Sequence, residues 1–145
     1  MNKTAIITLE SYKYETQYHN EKIKDLDKLK NEIYNIETII FDRKVKNFDF
    51  SMEKAQYERL KAKYFDEQTK LNIIEAKKKH LENEIEKLQQ PYKNILFLKY
   101  IKNYTFDEIA TKMNYSSKRI YQLHKIAITN YTKLHEESLL TISKS

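Results

Sequence analysis

The absence of glycine is the feature that most constrains what this chain can fold into. None of its 145 residues is glycine, and only one is proline. The Asn-Gly and Gly-X turns of β-hairpins are therefore unavailable, as are the glycine-rich loops that cradle nucleotide phosphates. Cysteine is also absent, which excludes disulfides, thiol catalysis and cysteine-ligated metals. These exclusions leave an all-α protein as the expected fold class.

The charge balance narrows the class of partner. Lys and Arg number 27 against 21 Asp and Glu, which gives a formal net charge of +6. A basic excess favours a polyanionic partner, either nucleic acid or an anionic membrane surface. No apolar run approaches the roughly 20 residues of a membrane span, and the first residues lack the apolar core of a signal peptide. We therefore expect no membrane partner and a cytoplasmic location in a bacterial cell.

The first 90 residues contain two amphipathic helical runs. In each run the apolar residues are spaced mostly by three or four positions, which places them on one face of a helix. They are Ile23, Leu26, Leu29, Ile33, Ile36 and Ile40 in the first run and Leu71, Ile74, Leu81, Ile85 and Leu88 in the second. Polar residues at 46–51 favour a turn between the runs, with Ser51 able to open the second helix. Residues 1–90 are thus predicted to form a helical hairpin of coiled-coil character.

Neither apolar stripe is wide enough to be covered by the other helix alone. A partner chain or partner protein is therefore expected on the hairpin, and self-association as a homodimer is the favoured interpretation. An intramolecular helical bundle without oligomerisation is the alternative.

Pro91 marks a boundary at which the charge also changes. Proline is favoured in the first turn of a helix and disfavoured inside one, so it separates two helices. Residues 1–90 carry a net charge of +1, whereas residues 91–135 carry eight basic and two acidic side chains and a net charge of +6. We expect a DNA-binding domain at 91–135, followed by a tail at 136–145, because a nucleic-acid surface concentrates positive charge in this way.

Residues 91–135 are predicted to form three helices. The first covers 91–102, the second Phe106–Met113 and the third 117–131. Thr105 and Glu108 have the spacing of a capping box, and Ser116 suits the N-cap of the third helix. Two helices joined by so short a turn, with Ala110 at their close crossing, are typical of a helix-turn-helix. Asn114 occupies the turn position that usually needs glycine.

Four segments of this region resemble sigma-70 region 4. They are ILFLKYI at 95–101, TFDEIA at 105–110, MNYS at 113–116 and KRIYQLHKIA at 118–127. The remainder does not look like a sigma factor. A sigma-like helix-turn-helix behind a charged helical segment is similar to phage late-gene transcriptional regulators of the ArpU and RinA type. That resemblance implies activation of late structural, packaging or lysis genes.

The third helix supplies the candidate DNA-contacting residues. If Ile120, Leu123 and Ala127 face the core, the opposite face is free to enter the major groove. There Gln122 can read adenine and Lys118 can donate to guanine. The residues expected to read bases are Ser117, Lys118, Tyr121 and Gln122. The residues expected to contact phosphates are Thr105, Lys112, Tyr115, Arg119 and Lys125.

Catalytic and metal chemistry find little support in the sequence. The four histidines form no H-x-x-x-H pair, and His124 and His135 have no well-placed carboxylate ligand beside them. We therefore expect a protein that is not an enzyme, with no catalytic residue, no metal site and no cofactor. Double-stranded DNA is the expected partner.

Two other function classes stay open beside the transcriptional regulator. A small-terminase-like packaging protein also joins a helix-turn-helix to an oligomerising helical region. A helical interaction module acting on RNA polymerase would use the hairpin and leave the helix-turn-helix without a role. A dimer favours regulation, whereas a ring of eight or more subunits favours packaging.

Overall fold

A computed structural model, which describes residues 2–144, shows an all-α fold. The described residues form five α-helices and one π-helical segment. The helices are α1 (Asn2–Val45), α2 (Ser51–Glu86), α3 (Tyr92–Leu96), α4 (Phe106–Met113) and α5 (Ser117–Lys144), with the π-helical segment Phe97–Ile101 between α3 and α4. The expected fold class is therefore confirmed. No helix in this part of the chain has a stretch long and apolar enough to cross a membrane.

The chain divides into two compact units. The first, the hairpin unit, is Gln17–Ala76. The second consists of the residues up to Thr16 together with those from Lys77 onward. We call it the basic unit, because it contains 15 basic and nine acidic residues while the hairpin unit contains twelve of each. The sequence-based boundary at Pro91 thus falls inside the basic unit.

The hairpin unit consists of two antiparallel helical segments from α1 and α2. Ion pairs join the two segments along their length: His19 Nε2 lies 3.0 Å from Glu75 Oε1, and Lys22 Nζ lies 2.6 Å from Glu67 Oε2. Five residues of the predicted stripes are buried here, namely Leu26, Leu29, Ile36, Leu71 and Ile74. Many other apolar side chains stay exposed, among them Tyr34, Phe41, Val45, Phe48, Met52 and Phe65. The predicted hairpin is present, and much of its apolar surface faces solvent.

The turn of the hairpin follows the predicted polar signals. Asn47 has a φ of 61°, a backbone conformation that asparagine tolerates better than most residues. The Ser51 amide donates to Asp49 Oδ1 at 3.1 Å, which satisfies one amide at the start of α2. Hydrogen bonding by Ser51 also lowers the pKa of Asp49.

The basic unit contains two buried clusters. One joins the start of α1, the end of α2, the α3 region and α5, through Ala5, Leu9, Tyr12, Leu81, Ile85, Leu88, Leu96, Tyr100, Ala127, Ile128 and Tyr131. The other joins the α3 region to α4 and the start of α5, through Ile95, Leu98, Ile109, Ala110, Ile120 and Leu123. The first sixteen residues are therefore part of the same core as the C-terminal helices.

Three helix bounds differ from the sequence-based prediction. α2 ends at Glu86 rather than at position 90, and the helix expected over 91–102 is an α-helical turn followed by the wider π-helical segment. α5 continues to Lys144 rather than ending at 131, so that the segment from 136 to 144, which was assigned to a tail, is helical. Position 145 lies outside the described residues.

A buried carboxylate anchors the turn of α5 that follows Tyr131. Glu84 of α2 is only 2% exposed, and it accepts a hydrogen bond from Tyr131 Oη at 3.0 Å. His135 Nδ1 lies 2.8 Å from the second carboxylate oxygen of Glu84. Both partners belong to α5, so these buried contacts hold one further helical turn beyond Tyr131 in place.

Candidate nucleic-acid interface

A short turn joins α4 to α5. The N-terminal caps of both helices are formed by the side chains that were predicted to form them. Thr105 Oγ1 accepts from the Glu108 amide at 3.2 Å, and Glu108 Oε1 accepts from the Thr105 amide at 3.1 Å. The predicted capping box is therefore confirmed. Ser116 Oγ accepts from the Arg119 amide at 3.1 Å and so caps the first turn of α5.

Asn114 ends α4 with a left-handed backbone conformation. Its φ is 59° and its ψ is 41°, as the sequence-based assignment of a glycine-like position required. The next amide, that of Tyr115, donates to the Ala110 carbonyl at 2.9 Å. This hydrogen bond joins residues five positions apart and is characteristic of a Schellman motif. The motif ends α4 shortly before α5 begins.

The inner faces of the two helices are buried as predicted. Ile109 and Ala110 of α4 are covered, and so are Ile120, Leu123 and Ala127 of α5. Burial of these residues fixes the rotation of α5 about its axis. Its opposite face is therefore directed to solvent.

The outer face of α5 carries most of the predicted base-reading residues. Lys118, Tyr121 and Gln122 are exposed, and Lys125 lies one turn further along. Lys118, Tyr121 and Lys125 are spaced by three and four residues, so they form one stripe. Among the described residues, no carboxylate lies within 4.0 Å of the Lys118 or Lys125 ammonium.

Two predicted contact residues are already engaged in hydrogen bonds. The Ser117 hydroxyl is half-buried and donates to Asp107 Oδ1 at 2.7 Å, so only its lone pairs are available to a ligand. Arg119 Nη1 donates to Gln122 Oε1 at 3.4 Å. That oxygen has a second lone pair, with which it could accept from adenine in a paired contact.

An aromatic cluster supports the outer face of α5. Tyr121 is 52% exposed, and its ring packs against Phe106 with a centroid separation of 4.5 Å. Lys99 Nζ lies 4.6 Å from the centre of the Phe106 ring. Neither Phe106 nor Lys99 was predicted to take part in the site, because their proximity to α5 depends on the tertiary packing.

His124 lies beneath this aromatic cluster and is not a free base. Its ring is half-buried, edge-on to Phe106 at 4.9 Å, and its Nε2 is 2.9 Å from Tyr100 Oη. Burial, and then the charge of Lys99, lower the pKa of His124 from 6.5 to about 4. The imidazole is therefore neutral near pH 7 and takes part in packing.

The three remaining phosphate candidates lie on α4 and its flanking turns. Thr105, Lys112 and Tyr115 are all exposed. Lys112 and Tyr115 line a hollow of about 540 Å³, in which Lys112 Nζ lies 5.5 Å from the centre of the Tyr104 ring. Thr105 lies at the other end of α4, so the three residues do not form one compact group.

Residues 2–144 contain no group of three or more His, Asp or Glu side chains placed to hold a metal ion. His135, considered with His124 in the sequence, instead lies in the buried hydrogen-bond network of Glu84.

The chain matches one protein-family model. That model is described as "Protein of unknown function (DUF1492)", and it matches residues 51–132, more than half of the chain. The chain belongs to the DUF1492 family. The matched residues include α2, α4 and the outer face of α5, whereas α1 lies outside the match. No curated protein and no solved structure matches the chain.

Proposed function

We propose that this DUF1492 protein is a sequence-specific double-stranded DNA-binding transcriptional regulator, of the kind that activates late genes in a phage or prophage. The observation that carries the proposal is the exposed stripe of Lys118, Tyr121 and Lys125 on α5. Its ammonium groups have no carboxylate within 4.0 Å in the described residues, so their charge is available to a polyanion. The neighbouring short turn and capped α4 support the insertion of residues 117–131 into the major groove.

The proposed contacts divide into base reading and phosphate binding. Lys118 would donate to guanine, and Tyr121 would contact a thymine methyl group with its exposed edge. Gln122 would read adenine through a paired contact, in which its amide nitrogen donates and the second lone pair of its oxygen, beside the one that accepts from Arg119, accepts from the base. The proposed phosphate contacts are those of Thr105, Lys112, Tyr115, Arg119 and Lys125. The activity requires no cofactor and belongs in the bacterial cytoplasm, where the DNA is.

Binding to DNA can be measured without knowledge of the operator. We expect the full-length protein to bind a random-sequence duplex at low salt, with an affinity that falls linearly on a logarithmic plot against salt concentration. Selection from a randomised duplex library should then enrich one sequence by at least ~10³-fold over random DNA. Absence of salt-sensitive binding to any duplex would contradict the proposal.

The hairpin unit is the proposed site of self-association. Its charges balance, and its large exposed apolar residues, such as Phe41, Val45 and Met52, offer surface that a second copy would cover. A homodimer would place two α5 helices on two half-sites and so increase both affinity and specificity.

Light scattering on the purified protein distinguishes the proposed assembly from its alternatives. A mass of two chains supports the regulator. A ring of eight or more chains would favour the packaging function. A monomer that binds RNA polymerase but not DNA would favour the interaction module.

A further inference from the structure

A second group of cations lies beside the proposed DNA-binding face. Residues from α1 and from the π-helical segment line a hollow of about 310 Å³ next to Thr105. Lys13 of α1 and Lys99 of the π-helical segment supply its positive charges. Neither ammonium has a carboxylate within 4.0 Å among the described residues.

Side-chain contacts connect this hollow to the outer face of α5. Lys99 Nζ lies over the ring of Phe106, and that ring packs against Tyr121. Thr105, which lines the hollow, immediately precedes Phe106 at the start of α4. The path from Lys13 to Tyr121 is therefore a continuous surface within the basic unit.

We propose that Lys13 and Lys99 bind DNA phosphates that flank the base pairs contacted by α5. The inference rests on the proposed function, because it requires α5 to enter the major groove. In a helix-turn-helix complex the first helix crosses the DNA backbone. The start of α4 would then face a phosphate, and the adjacent Lys13 and Lys99 would face the neighbouring phosphates along the same strand.

This proposal gives the start of α1 a role that neither its charge pattern nor the family match indicates. Residues 2–16 lie outside the matched range 51–132. They are fixed in the basic unit because Ala5, Leu9 and Tyr12 are buried in its core. Lys13 follows the last of these directly, so its position relative to α4 is determined by that packing.

One acidic residue allows a variant that should change DNA affinity in the opposite direction from the lysine variants. Glu10 lines the same hollow as Lys13 and Lys99 and is exposed. Its negative charge would oppose a phosphate placed there. Replacing it with glutamine should therefore strengthen DNA binding, whereas replacing either lysine with alanine should weaken it.

The experiment measures duplex binding by fluorescence anisotropy for the full-length variants Lys13→Ala, Lys99→Ala, Glu10→Gln and Lys28→Ala. Lys28 is an exposed lysine of the hairpin unit. Its alanine variant loses one positive charge, as Lys13→Ala and Lys99→Ala do, and serves as their control. We expect Lys13→Ala and Lys99→Ala each to weaken binding by about three- to tenfold and to reduce the salt slope by about 0.9. Glu10→Gln should tighten binding about two- to threefold. Lys28→Ala should match the wild type.

The outcomes separate this proposal from the proposed function on which it rests. If the wild type binds DNA with strong salt dependence but both lysine variants and Glu10→Gln behave like Lys28→Ala, the role of the hollow is wrong and the proposed function stands. If the wild type does not bind duplex DNA, both proposals fail. Circular dichroism of each variant verifies that the helical content is unchanged.

Discussion

The hairpin unit and the basic unit distribute their charges differently. The hairpin unit has twelve basic and twelve acidic residues, and several of these charges pair between its two helical segments, as Arg43 does with Glu53 at 3.2 Å. The basic unit has an excess of six positive charges. Among the described cations of 91–135, Lys93 pairs with Glu86, whereas the others have no carboxylate within 4.0 Å.

Buried apolar residues are also distributed differently. Among the described residues, the hairpin unit buries five apolar residues and exposes ten large ones, such as Phe41 and Phe65, whereas the basic unit buries seventeen in two clusters and exposes eight. Neutral, apolar surface suits association with protein, and unpaired positive charge suits association with DNA. This difference is the basis of the two proposals, namely self-association through the hairpin unit and DNA binding through the basic unit.

The largest expected change in the free energy of unfolding follows from truncating a buried isoleucine rather than an exposed one. Ile120 is fully buried in the basic unit, whereas Ile39 of the hairpin unit is 44% exposed. We expect Ile120→Ala to lower the free energy of unfolding by about 3 kcal/mol and Ile39→Ala by less than about 1 kcal/mol. Urea unfolding followed by circular dichroism measures both. Equal losses would contradict the burial on which the position of α5 rests.

The next effect is a dependence of stability on pH that originates at His124. In the unfolded chain this histidine takes up a proton as the pH falls below about 6.5, whereas the folded ring stays neutral down to about 4. Its contribution to stability is therefore complete above pH 6.5 and is lost as the pH falls towards 4.

Because the ring is partly exposed, we expect this loss to total about 2 kcal/mol. His124→Gln, which keeps a polar partner for Tyr100, should unfold with a flatter pH profile over that range. Thermal unfolding of both proteins between pH 4 and 7 tests this, and parallel profiles would show that His124 does not titrate abnormally.

A smaller effect is expected from the hydrogen bond between Tyr131 and the buried Glu84. Tyr131→Phe removes the donor and leaves a buried carboxylate oxygen with one partner fewer, which should cost about 1.5 kcal/mol. Tyr34→Phe is the matched variant in the hairpin unit, because Tyr34 is 67% exposed. It should leave the unfolding midpoint unchanged. A neutral Tyr131→Phe would show that the Glu84 network does not hold α5.

The smallest expected effect concerns two asparagines with a left-handed backbone conformation, one at the end of a helix in each unit. Asn114 and Asn47 have nearly the same φ, 59° and 61°. Asn114→Ala and Asn47→Ala should each destabilise the protein by about 1 kcal/mol, and glycine at either position should be tolerated. DNA binding should weaken more for Asn114→Ala than for Asn47→Ala, because Asn114 lies in the turn before α5. An equal or larger loss for Asn47→Ala would contradict the assignment of separate roles to the two units.

The parts of the structure that depend on local interactions were predictable from the sequence. The bounds of α4, both hydrogen bonds of its capping box and the left-handed Asn114 all depend on residues within a few positions of one another. The predicted inner face of α5 was confirmed for the same reason, since helical periodicity alone places Ile120, Leu123 and Ala127 together.

The parts that depend on distant contacts were not predictable. The packing of Ala5 and Leu9 against the C-terminal helices joins segments more than 70 residues apart, and no local pattern encodes it. The contacts of Tyr131 and His135 with the buried Glu84 were also not predictable, because in the sequence Glu84 is one of many charged residues on a helix. The aromatic support of Tyr121 by Phe106 likewise follows only from the packing of α4 on α5.

A charge-reversal experiment on the full-length protein tests the difference between the two units most directly. Lys118→Glu with Lys125→Glu changes the outer face of α5, and Lys28→Glu with Lys30→Glu makes the same change in net charge on exposed residues of the hairpin unit. Duplex binding at low salt should fall by at least about 100-fold in the first double variant and by no more than about threefold in the second. Equal losses in the two variants, or no loss in the first, would contradict the account.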